Sequence, residues 1–254
     1  MHDGRGPVEH TGIHHRRSSR LPSDQVGVGL GVDLIPDSPV RAATRIGDHW
    51  RIVTDRETVD AADLVLAIDA PAAAALLAKD PDLADVALPL RTVELGDVAV
   101  VTLLVDLPLL DDDVLGSGVL VAPGNGRVRA KAMTHGSAKW AWVREALGPG
   151  RHVVRLSYGR DGQITEPIDA LPDIAAADLA AILDLTSVPV AQAEVTRWSR
   201  TLVRPWPGYR ARAASVAAAA TAAPHLAVVG AGLGGNSLAG TIGVARTVLD
   251  QLPA

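Results

Sequence analysis

The residues most able to do chemistry stand near the C-terminal end. Gly230-Ala231-Gly232-Leu233-Gly234-Gly235 satisfies the G-x-G-x-x-G spacing, follows the apolar run HLAVVGAG (225–232) and precedes a helical stretch over 239–252. A strand that stops at glycines and opens a helix presents unpaired N–H groups and a positive dipole end. Such an end suits a phosphate or the electron-rich carbonyl edge of a conjugated ring. The same glycines also serve simply to let a strand and a helix pack closely. A complete dinucleotide fingerprint needs a βαβ unit of about 30 residues, with an acidic residue on its second strand. Nineteen residues follow Gly235, and Asp250 falls on the last helix, so the spacing predicts no complete unit here.

Other candidates for chemistry carry bland readings. His10 and His14 stand four apart beside His15, as metal ligands can, but Gly12 interrupts any helix and no carboxylate pattern accompanies them. Asp111-Asp112-Asp113 reads as a solvated turn between strands. Lys131 and Lys139 could meet substrate carboxylates, with surface placement the simpler reading. No Ser/His/Asp arrangement has a recognisable spacing, so no catalytic residue is assigned. Cysteine is absent, which excludes disulfides, thiolate metal sites and cysteine nucleophiles and fits a reducing compartment.

These residues need elements to position them. Residues 1–24 are rich in Gly, His, Arg and Ser without apolar periodicity and read as a disordered tail. Strands are predicted at 27–35, 40–46, 49–55 and 62–69, then a short helix over 71–79 opened by Pro71. A β-rich stretch follows from Leu90 to Tyr158, with strands at 93–107, 118–123, 127–135 and 152–159. Residues 173–185 have apolar positions at helical spacing, 191–199 alternate as a strand, and 209–223 form a helix stopped at Pro224. The order implies an α+β fold, or an α/β fold with a large antiparallel component.

Several segments together resemble the FAD-dependent protoporphyrinogen/coproporphyrinogen oxidases, members of the amine-oxidase-like flavoprotein superfamily. HLAVVGAGLGGNSLAGTIGVARTVL resembles the family's C-terminal flavin motif, and residues 27–55 resemble its strand, turn and W-x-V hairpin. ADLVLAIDAPAAAALL (62–77) resembles its strand–Pro–helix segment, and RHVVRLSYGRDG (151–162) its L-R-x-S-x-G-R stretch. The most specific pieces are GSGVLVAPGNGRVRAKAMTHGSAKWAW (116–142) and VTRWSRTLVRPWPGYRAR (195–212). The latter departs from the family at 201–205 and at Gly208-Tyr209. The likeness covers about residues 25–254 and only the C-terminal portion of the family.

The resemblance implies an α/β-type flavoprotein fragment: a mixed or antiparallel substrate-domain sheet beside the C-terminal part of an FAD-binding domain. Residues 25–88 and 191–254 would belong to the FAD-binding domain and 89–190 to the substrate-domain sheet. The implied cofactor is FAD. Val40 would meet its adenine end through the backbone, Trp198 and Arg204 would lie beside it, and Gly235, Asn236, Ser237 and Leu238 would line the flavin. The implied reaction is oxygen-dependent dehydrogenation of coproporphyrinogen III or protoporphyrinogen IX in haem biosynthesis, with the porphyrinogen and molecular oxygen as partners. The family's N-terminal pyrophosphate loop and ribose carboxylate have no counterpart before Gln25. A homo-oligomer, or a missing N-terminal half, is the further partner expected. Two other readings stay open: an N-terminally truncated, non-catalytic fragment, and another flavin amine-oxidase-like oxidoreductase such as an amine oxidase or carotenoid desaturase.

Composition narrows the classes. Net charge is −5 and basic residues cluster only at Arg16, Arg17 and Arg20, against a nucleic-acid surface. The longest apolar run, Leu95 to Leu110, is broken by Asp97 and Asp106 and is shorter than the ~20 residues of a membrane span. The first twenty residues contain no apolar signal core, so a cytoplasmic location is expected.

Overall fold

A computed structural model describes residues 31–124, 126–204 and 207–250. The predicted disordered tail and its histidines lie outside the described residues. Strands β1 (Val40–Ile46), β2 (His49–Thr54) and β3 (Thr58–Ala61) form an antiparallel meander in that spatial order. Gly47, with φ 62°, makes the first turn, and Thr54 Oγ1 accepts from Arg56 N and Glu57 N in the second. Arg51 and Asp60 face each other across β2 and β3 and pair through two hydrogen bonds. Trp50, fully buried on β2, donates its indole N–H to the His225 carbonyl at 2.7 Å, tying the meander to the far end of the chain. The meander lies one strand later than expected. Residues 31–35, within the predicted strand at 27–35, are irregular, and Val32, Leu34 and Ile35 are exposed. Alternation alone makes no strand without a neighbour to pair with, and Pro36 with Asp37 at φ 53° turns the chain away.

Strand β4 (Leu64–Leu66) leads into helix α1 (Ala70–Leu77), whose N-cap Asp69 accepts from Ala72 N at 2.8 Å. Helix α2 (Ala84–Arg91) packs on α1 through Val86, Ala87 and Leu90. No helix is expected here from the sequence, because Pro89 inside the segment hides the pattern.

The second sheet is built from β5 (Leu95–Asp106), β6 (Gly118–Leu120), β7 (Ala132–His135), β8 (Arg151–Tyr158) and β9 (Val190–Val203). Its order is β6-β7-β8-β5-β9 and every pairing is antiparallel. Helices α3 (Gly136–Lys139) and α4 (Ala141–Leu147) interrupt it between β7 and β8. Helix α5 (Leu171–Ile182) covers one face with Leu171, Ala175 and Leu179 against Val101, Leu103, Val154 and Leu156. Asp178, buried on α5, accepts from Arg129 N, Ala130 N and the Tyr158 hydroxyl, and so fastens the segment before β7 to helix and sheet. Burial, then the neighbouring carboxylate, push the Tyr158 phenol above its ordinary range.

The chain then returns to the first core through α6 (Tyr209–Ala222), β10 (Leu226–Val228), α7 (Ala231–Gly234) and α8 (Leu238–Leu249). Strand β10 pairs with β4 in parallel, Leu226 opposite Leu64 and Val228 opposite Leu66. Two cores result. One gathers Trp50, Leu77, Leu90, Val216 and Leu226, and the other lies between the second sheet and α5. Strands β5 and β9 join them, since Leu95 and Val203 pack into the first core while Val101 and Leu103 lie in the second. Among the described residues no helix is long and apolar enough to cross a membrane.

Candidate functional site

Strands β4 and β10 run side by side and stop at the same edge. Beyond β4 the chain reaches Asp69 and the start of α1, and beyond β10 it passes Gly230 into α7. Gly230 adopts φ 130°, ψ −177°, a conformation open essentially to glycine alone. The two helix starts touch, because a Cβ at Gly232 would lie 2.9 Å from that of Ala70. The crevice beyond the carboxyl ends of parallel strands is where open α/β sheets bind ligands.

The turn from α7 to α8 holds four of the predicted site residues. The segment expected to be a plain glycine turn contains a helical turn, Ala231–Gly234, ahead of Gly235. Gly235 has φ 80°, and a Cβ there would meet nothing within 4 Å, so backbone conformation rather than crowding demands the glycine. Asn236 spends its amide on β9: its Oδ1 accepts from Val203 N at 2.8 Å and its Nδ2 donates to Val203 O at 2.9 Å. Its side chain therefore holds the turn in place. Ser237 Oγ caps α8 by accepting from Gly240 N at 3.0 Å. Leu238 is 83% exposed, so what this turn offers outward is backbone and one apolar side chain.

Of the three remaining predicted residues, Val40 and Arg204 each line a cavity. Val40 lines a cleft of about 780 Å³ between the meander, β4 and the start of α1, shared with Ser38, Ile68, Pro71, Lys79 and Arg200. Among the described residues, Val40 sits on the outer strand of its sheet and the buried Ser38 Oγ has no hydrogen-bond partner. Arg204 lines a second cavity of about 400 Å³ with Lys131, Arg160 and Asn236. Its guanidinium lies 3.5 Å from Glu94. Trp198, half exposed on β9, lines neither cavity and stands opposite Val98 beside a bulge. Asp97 pins that bulge, accepting from Arg197 at 2.6 Å and from Arg200 N at 2.9 Å, and these bonds hold its carboxyl below the usual range.

Sequence reading missed several lining residues. Arg200 reaches the Val40 cleft because the bulge puts it at φ 54°, where it pairs with Asp69 at 3.1 Å. Nothing in its neighbourhood announces a bulge. Lys131, read more simply as a surface residue, is half-buried and lines the second cavity. Lys139 is exposed and lies over the Trp140 ring. The Asp111-to-Asp113 run, expected as a solvated turn, ends a short 3-10 helix (Pro108–Asp112) and is paired: Asp111 accepts from Gly150 N and Asp113 from Arg144. Beside it His135 and His152, both buried, share a hydrogen bond of 3.0 Å, and His152 Nε2 lies 3.3 Å from Asp111. Burial draws both imidazoles below their ordinary range. Among the described residues no cluster of three or more His, Asp or Glu could hold a metal ion.

No family model and no curated protein matches the chain. Solved structures do. A proposed protoporphyrinogen oxidase from Exiguobacterium sp. 255-15 superposes with a TM-score of 0.68 at 24% identity, covering 84% of this chain and 46% of that one. An oxidoreductase from Methanosarcina mazei gives 0.61 at 19% identity over 89% of this chain and 52% of its own. A putrescine oxidase redesigned in its cofactor binding gives 0.59 at 14%, over 90% and 51%. The chain shares its fold with part of each of these structures. It spans about half the length of the solved structures it matches. The expected α+β class agrees with that architecture.

Proposed function

We propose that this chain is the C-terminal portion of an FAD-dependent porphyrinogen oxidase, supplying the second protein contact with the cofactor and one wall of the substrate pocket. The carrying observation is the shared edge of β4 and β10, where a glycine-built turn and a cleft meet in a fold also found in a proposed protoporphyrinogen oxidase. The specific blocks at 116–142 and 195–212 favour that branch over amine oxidases. In this reading 25–88 and 191–254 belong to the cofactor domain and 89–190 to the substrate sheet.

The residues present fit FAD at two places. The 780 Å³ cleft offers the open edge of β1 at Val40 and the unpartnered Ser38 hydroxyl, which suit an adenine edge or ribose. The backbone of Gly235–Leu238, at the start of a twelve-residue helix, suits the carbonyl edge of the flavin. Asn236 keeps that backbone at a fixed distance from β9, and Leu238 supplies an apolar face. Trp198 and Arg204 stand on the β9 side of the same region. Bound there, FAD would accept a hydride from the porphyrinogen and be reoxidised by oxygen.

A second reading is favoured by one observation. A parallel sheet of two strands is too small to stand without further cover, and here Val65, Ile68, Leu238 and Ile242 are exposed around it. Polypeptide carrying the pyrophosphate loop would bury them, at about 1.5–3 kcal/mol for each side chain fully covered. Without it this chain would be a non-catalytic fragment. The test is to purify the chain, add FAD, and assay oxygen-dependent conversion of coproporphyrinogen III to a fluorescent porphyrin. Stoichiometric yellow protein that forms porphyrin supports catalysis by this chain. A colourless protein that forms none leaves only the fragment reading.

A further inference from the structure

The second cavity is lined by two cations that the cofactor contacts do not use, Lys131 and Arg160, together with Arg204, which the proposed cofactor site shares. Lys131 precedes β7, Arg160 follows β8 and Arg204 follows β9, and all three are half-buried around the same 400 Å³. Two of them are anchored by backbone carbonyls. Lys131 Nζ donates to Gly159 O at 3.3 Å, and Arg160 donates to Val121 O at 3.1 Å and Ala130 O at 3.5 Å. The acids nearby are Asp161, on the cavity wall, and Glu94, beside Arg204. Positive charge therefore exceeds negative in a confined space. Burial, then the neighbouring Arg160, lower the Lys131 pKa, a repulsion that an entering anion relieves.

The geometry is built. The wall between Lys131 and Arg204 is the turn Gly159–Gly162, where Gly159, Asp161 and Gly162 all have φ between 58° and 89°. A Cβ at Gly162 would lie 2.8 Å from Gly96 Cα and 3.0 Å from Arg204 Cδ, so the turn bears directly on the arginine stem. Leu202 and Val203 add an apolar side. A phosphate site would be expected to offer backbone N–H groups at a helix start. Here side-chain cations stand beside apolar wall, which suits an alkyl arm ending in a carboxylate.

We infer that this cavity is a carboxylate subsite, in which Lys131 and Arg160 receive a carboxyalkyl arm of the substrate. The inference rests on the porphyrinogen reading for the identity of the substrate, while the anion chemistry stands on the cavity alone. The full chain is titrated with coproporphyrin III, followed by porphyrin fluorescence, alongside K131M and the charge-retaining K131R. K131M should bind about tenfold more weakly, as loss of one charge-assisted hydrogen bond implies, and K131R should recover most of the affinity. Tricarballylate should compete and pyrophosphate should not. Equal binding by K131M and the parent chain, or stronger competition by pyrophosphate, overturns the subsite. If coproporphyrin fails to bind but tricarballylate shifts the amide resonances of Gly159 and Gly162 in the parent chain and not in K131M, the subsite stands and the porphyrinogen reading falls. If neither ligand binds, the subsite is wrong.

Discussion

Single residues in this chain do their work by holding backbone. Gly235 has a positive φ with an extended ψ, so Gly235→Val should strain the turn at about 1–3 kcal/mol and move the backbone that the proposed reading offers to the flavin. The expected outcome is loss of any flavin binding, read by absorbance, with the far-ultraviolet circular dichroism retained; equal flavin affinity in the variant would misplace the cofactor. Asp178 is a different case, since Asp178→Ala leaves two backbone N–H groups and the Tyr158 hydroxyl unpaired in the core. Urea unfolding should show a loss of about 3 kcal/mol or more. The His135–His152 pair gives a pH dependence whose sign follows from burial. Both imidazoles titrate lower in the folded chain than the ordinary value of about 6.5, so the unfolded chain binds more protons between the two values. Stability is then fully present above about pH 6.5 and declines as pH falls below it. Urea midpoints measured from pH 8 to 5 should show that decline, and it should flatten in a His135→Gln/His152→Gln variant.

At the scale of elements, the turn between α7 and α8 depends on β9. Asn236→Ala would leave Val203 N and O without their partners, at about 1–3 kcal/mol, and release the turn. Proteolysis or hydrogen exchange at residues 231–240 should quicken while exchange in β5 and β8 stays slow. Part of this was legible in advance. The long strand β5, helix α5 and the apolar β10 carry patterns their own packing enforces, because each buries one face or both. Other elements were not legible, for physical reasons. Helix α2 contains Pro89, and helices α3 and α4 are too short to show a period. The stretch 31–35 has the right alternation and no strand beside it. The site residues follow the same division. Glycines with positive φ announce themselves by type, as at Gly235, whereas Arg200 and Lys131 reach cavities through a bulge and a distant turn that local sequence does not encode.

Over the whole molecule, the two large cores are joined by β5 and β9; one cavity lies beside β4 and the start of α1, and the other between the turn after β8 and the end of β9. In the proposed reading, the first of these cavities meets the cofactor and the second meets an anionic substrate. In the proposed reading Val40 and the Gly235–Leu238 turn both face FAD. The most direct measurement is a nuclear magnetic resonance titration of the isotope-labelled chain with FAD, which reports weak binding as well as tight. Saturable shifts are expected at the amides of Val40 and of Gly235 to Leu238, with the face of α5 unmoved. Shifts confined to other surfaces, or none at millimolar FAD, would contradict it.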